Sequence, residues 1–180
     1  MALLEILKYP EPALRKAGAP VENITGQTAK LIGDMLETMY AAPGVGLAAP
    51  QVGVSQRIIV LDIDHENPGK RVYKLINPVI ICAEGELVWE EGCLSVVDFT
   101  AEVRRAAKVQ VVGYDENEKE IKIDAEGLFA VALQHEIDHL DGKLFIDRIS
   151  RLKRDLYTRR RKKMLRTGTE PSREGARVLI

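Results

Sequence analysis

Between Gly127 and Leu140 the chain reads Gly-Leu-Phe-Ala-Val-Ala-Leu-Gln-His-Glu-Ile-Asp-His-Leu, and no other segment constrains the fold as tightly. The spacing predicts a helix that stops near Gly142. Its lead-in, Leu128 to Leu133, is apolar, so the helix is expected to be buried. Residues four apart share a helix face, so His135 and His139 stand one above the other. Buried imidazoles need partners. Two at this spacing can grip one divalent ion, with Glu136 near enough to reach a water beside it. The plainer alternative is a pair of core or surface histidines bonded to backbone or to Asp138. The chain has three histidines, and two of them fall in this pentapeptide.

A hydrolytic metal site wants three protein ligands and an open position. Cys93 is the best third candidate. It ends a predicted strand in Glu91-Gly92-Cys93-Leu94-Ser95. Strand alternation puts Leu87, Trp89, Glu91 and Cys93 on one face, and Gly92 lets backbone approach closely. Glu91, facing the site, needs a cation if buried; Arg104 and Arg105 are the candidates. The alternative for Cys93 is a small buried hydrophobe. Cys82, which follows Val79-Ile80-Ile81 without polar company, is expected to be one. A thiolate with two imidazoles leaves a divalent ion net positive, so it still acidifies water. The set suits zinc, ferrous iron, cobalt and nickel alike.

The rest of the chain supplies the frame. Leu31, Met35 and Met39 mark a helix from about Thr25 to Ala42, ended by Pro43-Gly44. Strands are predicted over Arg57–Asp64, Leu75–Cys82 and Glu86–Cys93, then a hairpin of Lys108–Tyr114 and Lys119–Asp124. A last helix runs from about Ser150 to Leu165. Central strands with helices at both ends give an α+β class. Residues 1–166 are expected to form the domain and 167–180 a flexible tail. The turn Gly44-Val45-Gly46-Leu47-Ala48-Ala49-Pro50-Gln51 has two glycines that let backbone near a ligand. Its Gln51 can offer an uncharged N–H to an oxygen that gains charge.

These three segments together resemble the peptide deformylases, in their bacterial form. That family shows a Gly-x-Gly-x-Ala-Ala-x-Gln turn, a Glu-Gly-Cys-x-Ser strand end and a His-Glu-x-x-His helix, in this order. The resemblance covers roughly Met1 to Leu165. It implies mixed or antiparallel sheets around a central metal-binding helix, with a C-terminal helix. It implies removal of the N-formyl group from the initiator methionine of new polypeptides, with release of formate. Carried over, Cys93, His135 and His139 bind one divalent ion, with Fe2+ expected and Zn2+, Ni2+ or Co2+ possible. Glu136 takes a proton from water on that ion and passes it to the leaving amine. Gln51 and the backbone N–H of Leu94 stabilise the oxyanion. The family often has proline two residues after the serine of the strand end. Here that residue is Val97, so the strand that would bind the peptide backbone is expected to differ in preference.

Helix geometry extends the site. Leu128, Val131 and Ala132 share the His135 face. With Val45, Trp89 and Leu94 they can wall a methionine side chain, the backbone of Gly44 and Gly46 lying alongside; plain core packing is the alternative. Between Arg148 and Arg166 ten basic residues face only Asp155 in a chain of net charge −1. A solvated helix face is the usual meaning of such a run. The alternative is a contact with ribosomal RNA. Two cysteines are too few for a disulfide framework. No apolar stretch nears the ~18 residues of a membrane span. The expectation is a cytoplasmic protein acting on formyl-methionyl peptides and nascent chains, with the ribosome as a possible partner and no membrane. Two other readings compete. A zinc endopeptidase would take a third ligand downstream, from Asp141, Asp147 or Asp155. An RNA-binding module would close a structural metal with a fourth ligand.

Overall fold

The computed structural model describes residues 2–64 and 67–168. Helix α1 (Gly26–Ala41) starts where Thr25 and Thr28 cap each other, the Thr25 hydroxyl accepting from the Thr28 N–H. Its Ile32, Met35 and Met39 are buried on one face. Strands β1 (Gly46–Ala48), β2 (Ile58–Asp62), β3 (Val72–Glu84), β6 (Lys108–Tyr114) and β7 (Glu120–Glu126) form one sheet in the order β1-β2-β3-β6-β7. Strands β4 (Leu87–Cys93) and β5 (Val96–Arg105) form a separate hairpin. Each pairing between these strands is antiparallel, and an isolated bridge between Ala19 and Gln56 is parallel. Helix α2 (Leu128–Leu140) comes directly after β7, and α3 (Arg151–Thr167) closes the described fold. The α+β class with a C-terminal helix is as expected.

Strand β2 reads Ile-Ile-Val-Leu-Asp and is buried at every position, because both of its faces are covered. Ile58 and Val60 meet Ile32, Met35 and Met39 of α1. Ile59 and Leu61 meet Val131, Leu133 and Ile137 of α2. A near-continuous apolar run is characteristic of a doubly covered strand. A third cluster joins the β4–β5 hairpin to the chain beyond α2: Cys93, Val96 and Val103 lie with Leu144, Phe145 and Tyr157. Gly127 begins α2 at φ 59°, ψ −134°, a conformation closed to side-chain-bearing residues.

Two expectations need correction. Cys82 is exposed rather than buried. The partner strand β2 begins at Ile58, opposite Ile76. Past that point β3 pairs only with β6, and Val79 and Ile81 are also exposed there. Strands β1 and β5 were not among the predicted strands; within β5, Asp98 stands at φ 52°. The last helix, expected over about Ser150 to Leu165 ahead of a tail at 167–180, is observed at Arg151–Thr167. The remainder of that tail, residues 169–180, lies outside the described residues, as does His65.

Ile59→Ala, deep between β2 and α2, is expected to cost about 2–5 kcal/mol by urea unfolding. Ile81→Ala, in the exposed half of β3, should stay within about 0.5 kcal/mol of the parent.

Candidate metal centre

Helix α2 delivers His135 and His139 with ring centroids 5.0 Å apart. Strand β4 delivers Cys93, whose Sγ lies 3.3 Å from His139 Nε2. One ligand atom from each of the three falls within 4.8 Å of the other two. All three residues are buried. The Nδ1 of His135 is held by Glu91 Oε2 at 2.7 Å, which leaves its buried Nε2 without a partner. An orphaned imidazole nitrogen beside a buried sulfur and a second imidazole fits a divalent ion of the zinc or ferrous kind.

The carboxylate of Glu91 is fully buried and is shared. Arg105 grips it through Nε and Nη2 at 2.6 and 2.9 Å, so of the two candidate cations Arg105 is the partner. Arg104 pairs with Glu86 at the surface instead. Burial would raise the Glu91 pKa, but the bonds from Arg105 and His135 outweigh it and hold it at about 2. Arg105 also donates to Asp138, which takes two more bonds from Arg148 at 2.6 Å each. Burial works against the Asp138 carboxylate, and the Arg148 and Arg105 guanidiniums keep it below its ordinary range. Asp138 is thus an anchor for two arginines rather than a partner of the histidines. Sequence reading named Glu91 and left its cation between Arg104 and Arg105, but missed Arg148, because nothing in its local pattern points ten residues back to Asp138.

Around the sulfur the donors converge. The Ser95 N–H lies 3.4 Å from Cys93 Sγ, and Gln51 Nε2 lies 3.6 Å from it. Gln51 sits in a short 3-10 turn, Ala49–Val52, with its Oε1 fixed by the Ala48 N–H at 2.8 Å. Its Nε2 also reaches Ser95 Oγ at 3.2 Å. Burial raises the thiol, yet the His139 and His135 rings bring Cys93 well below its ordinary value, towards thiolate. In return, and against burial, the Cys93 thiolate and Glu91 raise His135 to about 10.

Glu136 is fully buried, and neither carboxylate oxygen has a partner. Burial is the main reason its pKa rises to about 7; the two imidazoles lower it, while Cys93 and Glu91 raise it. The side chain lies over Gly46, where a Cβ would stand 2.3 Å from Oε1. Gly46 therefore leaves room for Glu136, a close approach rather than a turn. At Gly44 a Cβ would meet the Leu94 side chain at 2.8 Å, so this glycine seats Leu94.

The other expected residues divide. Val45, Val131 and Ala132 are buried together in the α2 cluster, with Leu128 packed half-buried against it. Leu94 belongs to the α1 cluster. Trp89, 36% exposed, stands outside the buried clusters. Val97 lies half-buried on β5, its carbonyl accepting from the Tyr157 hydroxyl at 3.3 Å.

Comparison with known proteins adds an independent line. The family model described as polypeptide deformylase matches residues 3–155. The peptide deformylase of Syntrophobacter fumaroxidans is 53% identical over 169 residues, 94% of this chain and 99% of that one. That of Rhizobium meliloti is 49% identical over 168 residues, 93% of this chain and 97% of that one. Among solved structures, a peptide deformylase from Legionella pneumophila superposes with a TM-score of 0.87 at 46% identity, covering 94% of this chain and all of that one. One from Ehrlichia chaffeensis, in complex with actinonin, gives 0.85 at 38% identity, covering 92% and 99%.

Two outcomes are expected from this geometry. The parent should retain one divalent ion through gel filtration, and Cys93→Ala or His139→Ala should lose it, as read by elemental analysis. Glu91→Gln strands Arg105 in the interior and should cost about 3–5 kcal/mol at neutral pH. Because the folded Glu91 value lies near 2, below its ordinary 4.5, its stabilisation is complete above pH 4.5 and fades as pH falls toward 2. Denaturant midpoints between pH 6 and 3 should therefore drop more steeply for the parent than for Glu91→Gln.

Proposed function

The chain belongs to the polypeptide deformylase family, a family of hydrolases, and from that premise we propose how its own residues remove the formyl group from an N-terminal formyl-methionine. The observation that carries the proposal is the unpartnered Glu136 carboxylate beside the buried Cys93, His135 and His139 set. A divalent ion held by those three supplies Lewis acidity, and ferrous iron is the expected occupant, with zinc, nickel or cobalt as alternatives. Glu136 accepts a proton from the attacking water as its oxygen bonds to the formyl carbon. It then returns that proton to the nitrogen as the C–N bond breaks, giving formate and a free amine. A carboxyl group poised near 7 serves both steps. Gln51 Nε2 and the Leu94 N–H donate to the oxygen that gains negative charge. Gly44 and Gly46 offer backbone to the peptide. Val45 and Leu128 line the methionine pocket, backed by the fully buried Val131 and Ala132, and Trp89 stands at its outer rim.

The endopeptidase reading loses ground on a specific observation. Its downstream ligand candidates are engaged elsewhere: Asp141 with Arg57, Asp147 with Arg15, and Asp155 with Arg151. A closed structural site lacks support as well, since the described residues offer three ligands at this centre and no fourth.

The basic helix serves the same reading. Arg161 is buried and donates to the Tyr9 carbonyl, and Arg148 belongs to the Asp138 network. Lys153, Arg159, Arg160, Lys162, Lys163 and Arg166 remain exposed on α3. We place ribosomal RNA against this face and the protein in the cytoplasm, where formylated nascent chains arise. No helix among the described residues is long and apolar enough to cross a membrane.

Formate release from a formyl-methionyl peptide tests the activity. Glu136→Ala should lower kcat by about 10²–10⁴-fold with the ion retained. Gly46→Ala, which displaces Glu136, should lower it by about 10²-fold. Turnover of an unformylated protein, or equal turnover by Glu136→Ala, would overturn the reading. Neutralising Arg159, Arg160, Lys162 and Lys163 together should abolish salt-sensitive co-sedimentation with ribosomes while leaving peptide turnover intact.

A further inference from the structure

The turn that carries the ligand sulfur has only two free residues. Cys93 pairs with Val96, so Leu94 and Ser95 make the whole connection between β4 and β5. In such a turn the plane of the central peptide is the soft degree of freedom: turn types I and II differ mainly by a flip of that plane. Here the plane is held from both sides. Its N–H, on Ser95, points at Cys93 Sγ at 3.4 Å. Its carbonyl, on Leu94, accepts from the Lys8 ammonium at 2.5 Å. Because the peptide unit is rigid and trans, fixing the oxygen fixes the direction of the N–H.

Lys8 is itself held in register. The Leu7 N–H donates to the Gln51 carbonyl at 2.7 Å, and the Tyr9 N–H donates to the Ser95 carbonyl at 2.8 Å. The opening segment therefore straps the Gln51 turn to the Leu94–Ser95 turn, with Lys8 between the two bonds. Lys8 is half-buried, so its bond is partly shielded from water. An ammonium on the carbonyl polarises the whole amide and strengthens the N–H as a donor. Hydrogen bonds to a ligating sulfur tune how much charge it gives a metal.

We propose that Lys8 is a positioning residue of the metal centre, fixing the Leu94–Ser95 peptide plane so that the Ser95 N–H bears on the Cys93 sulfur. The inference rests on the reading of Cys93 as a ligand. Loss of the ammonium frees the plane and removes charge withdrawal from the thiolate. The sulfur becomes a stronger donor, and the turn holds its ion less rigidly.

Cobalt(II)-substituted protein tests this through its sulfur-to-cobalt charge-transfer band. Lys8→Met should move the band to lower energy and speed cobalt loss to a chelator by about tenfold. Its thermal midpoint should stay near the parent's, and Lys8→Arg should restore both readings. Lys8→Gln, polar and tolerable at a half-buried position, provides the same measurement if Lys8→Met does not fold. A parental band and loss rate in the neutral variants would overturn the inference. So would faster loss with an unshifted band and a lowered midpoint, which marks a general loosening of the fold. A parent without the band would overturn the metal-centre reading itself, and formate release need not be measured to tell these apart.

Discussion

The carboxylate of Glu91, fully buried, touches a cation and an imidazole at once. It lies on β4, while Arg105 ends β5 and His135 stands on α2, so one group ties the hairpin to the helix. Burying a carboxylate is costly unless it is fully satisfied. That requirement fixes three elements relative to one another more tightly than apolar contacts would. His135 can then present only Nε2 to the centre, because Nδ1 is already engaged. The ligand geometry depends on an ion pair formed beside it.

Apolar packing does the coarser work. β2 is clamped between α1 and α2, and that sandwich places α2 over the sheet with its polar face turned to the β4–β5 hairpin. The glycine turn ends in β1, directly beside α2, and brings Gly46 under Glu136. The Glu136 carboxylate thus sits in a buried space left by the absence of one methyl group. Burial raises its pKa to about 7, and the same burial strengthens the electrostatics around the sulfur.

The opening segment and α3 are joined to this centre. Tyr9 bonds to Ser95 through its N–H, accepts from Arg161 through its carbonyl and meets Thr158 through its hydroxyl. Residues far apart in the chain thereby share one support for the sulfur-bearing turn. The basic face of α3 and the sulfur-bearing turn are connected through Tyr9, with Arg161 as the charge that turns inward.

The chain alone determined most of the elements and the candidate site residues. Spacing four in an apolar run gives a buried helix with two imidazoles on one face, and alternation gives Cys93 and Glu91 a shared side of a strand. Those are local properties, set by helical and pleated periods, and they sufficed to single out Cys93, His135 and His139, which the fold brings together, and to give the α+β class. The resemblance to a family added the reaction. Only the tertiary structure decided which arginine meets Glu91, that Asp138 anchors Arg148, that Cys82 is exposed and that Lys8 reaches Leu94. It also moved Trp89 to the periphery and turned Arg161 inward. Each of these depends on contacts between residues distant in sequence. A period of two or of 3.6 carries no information about which distant partner a side chain will meet.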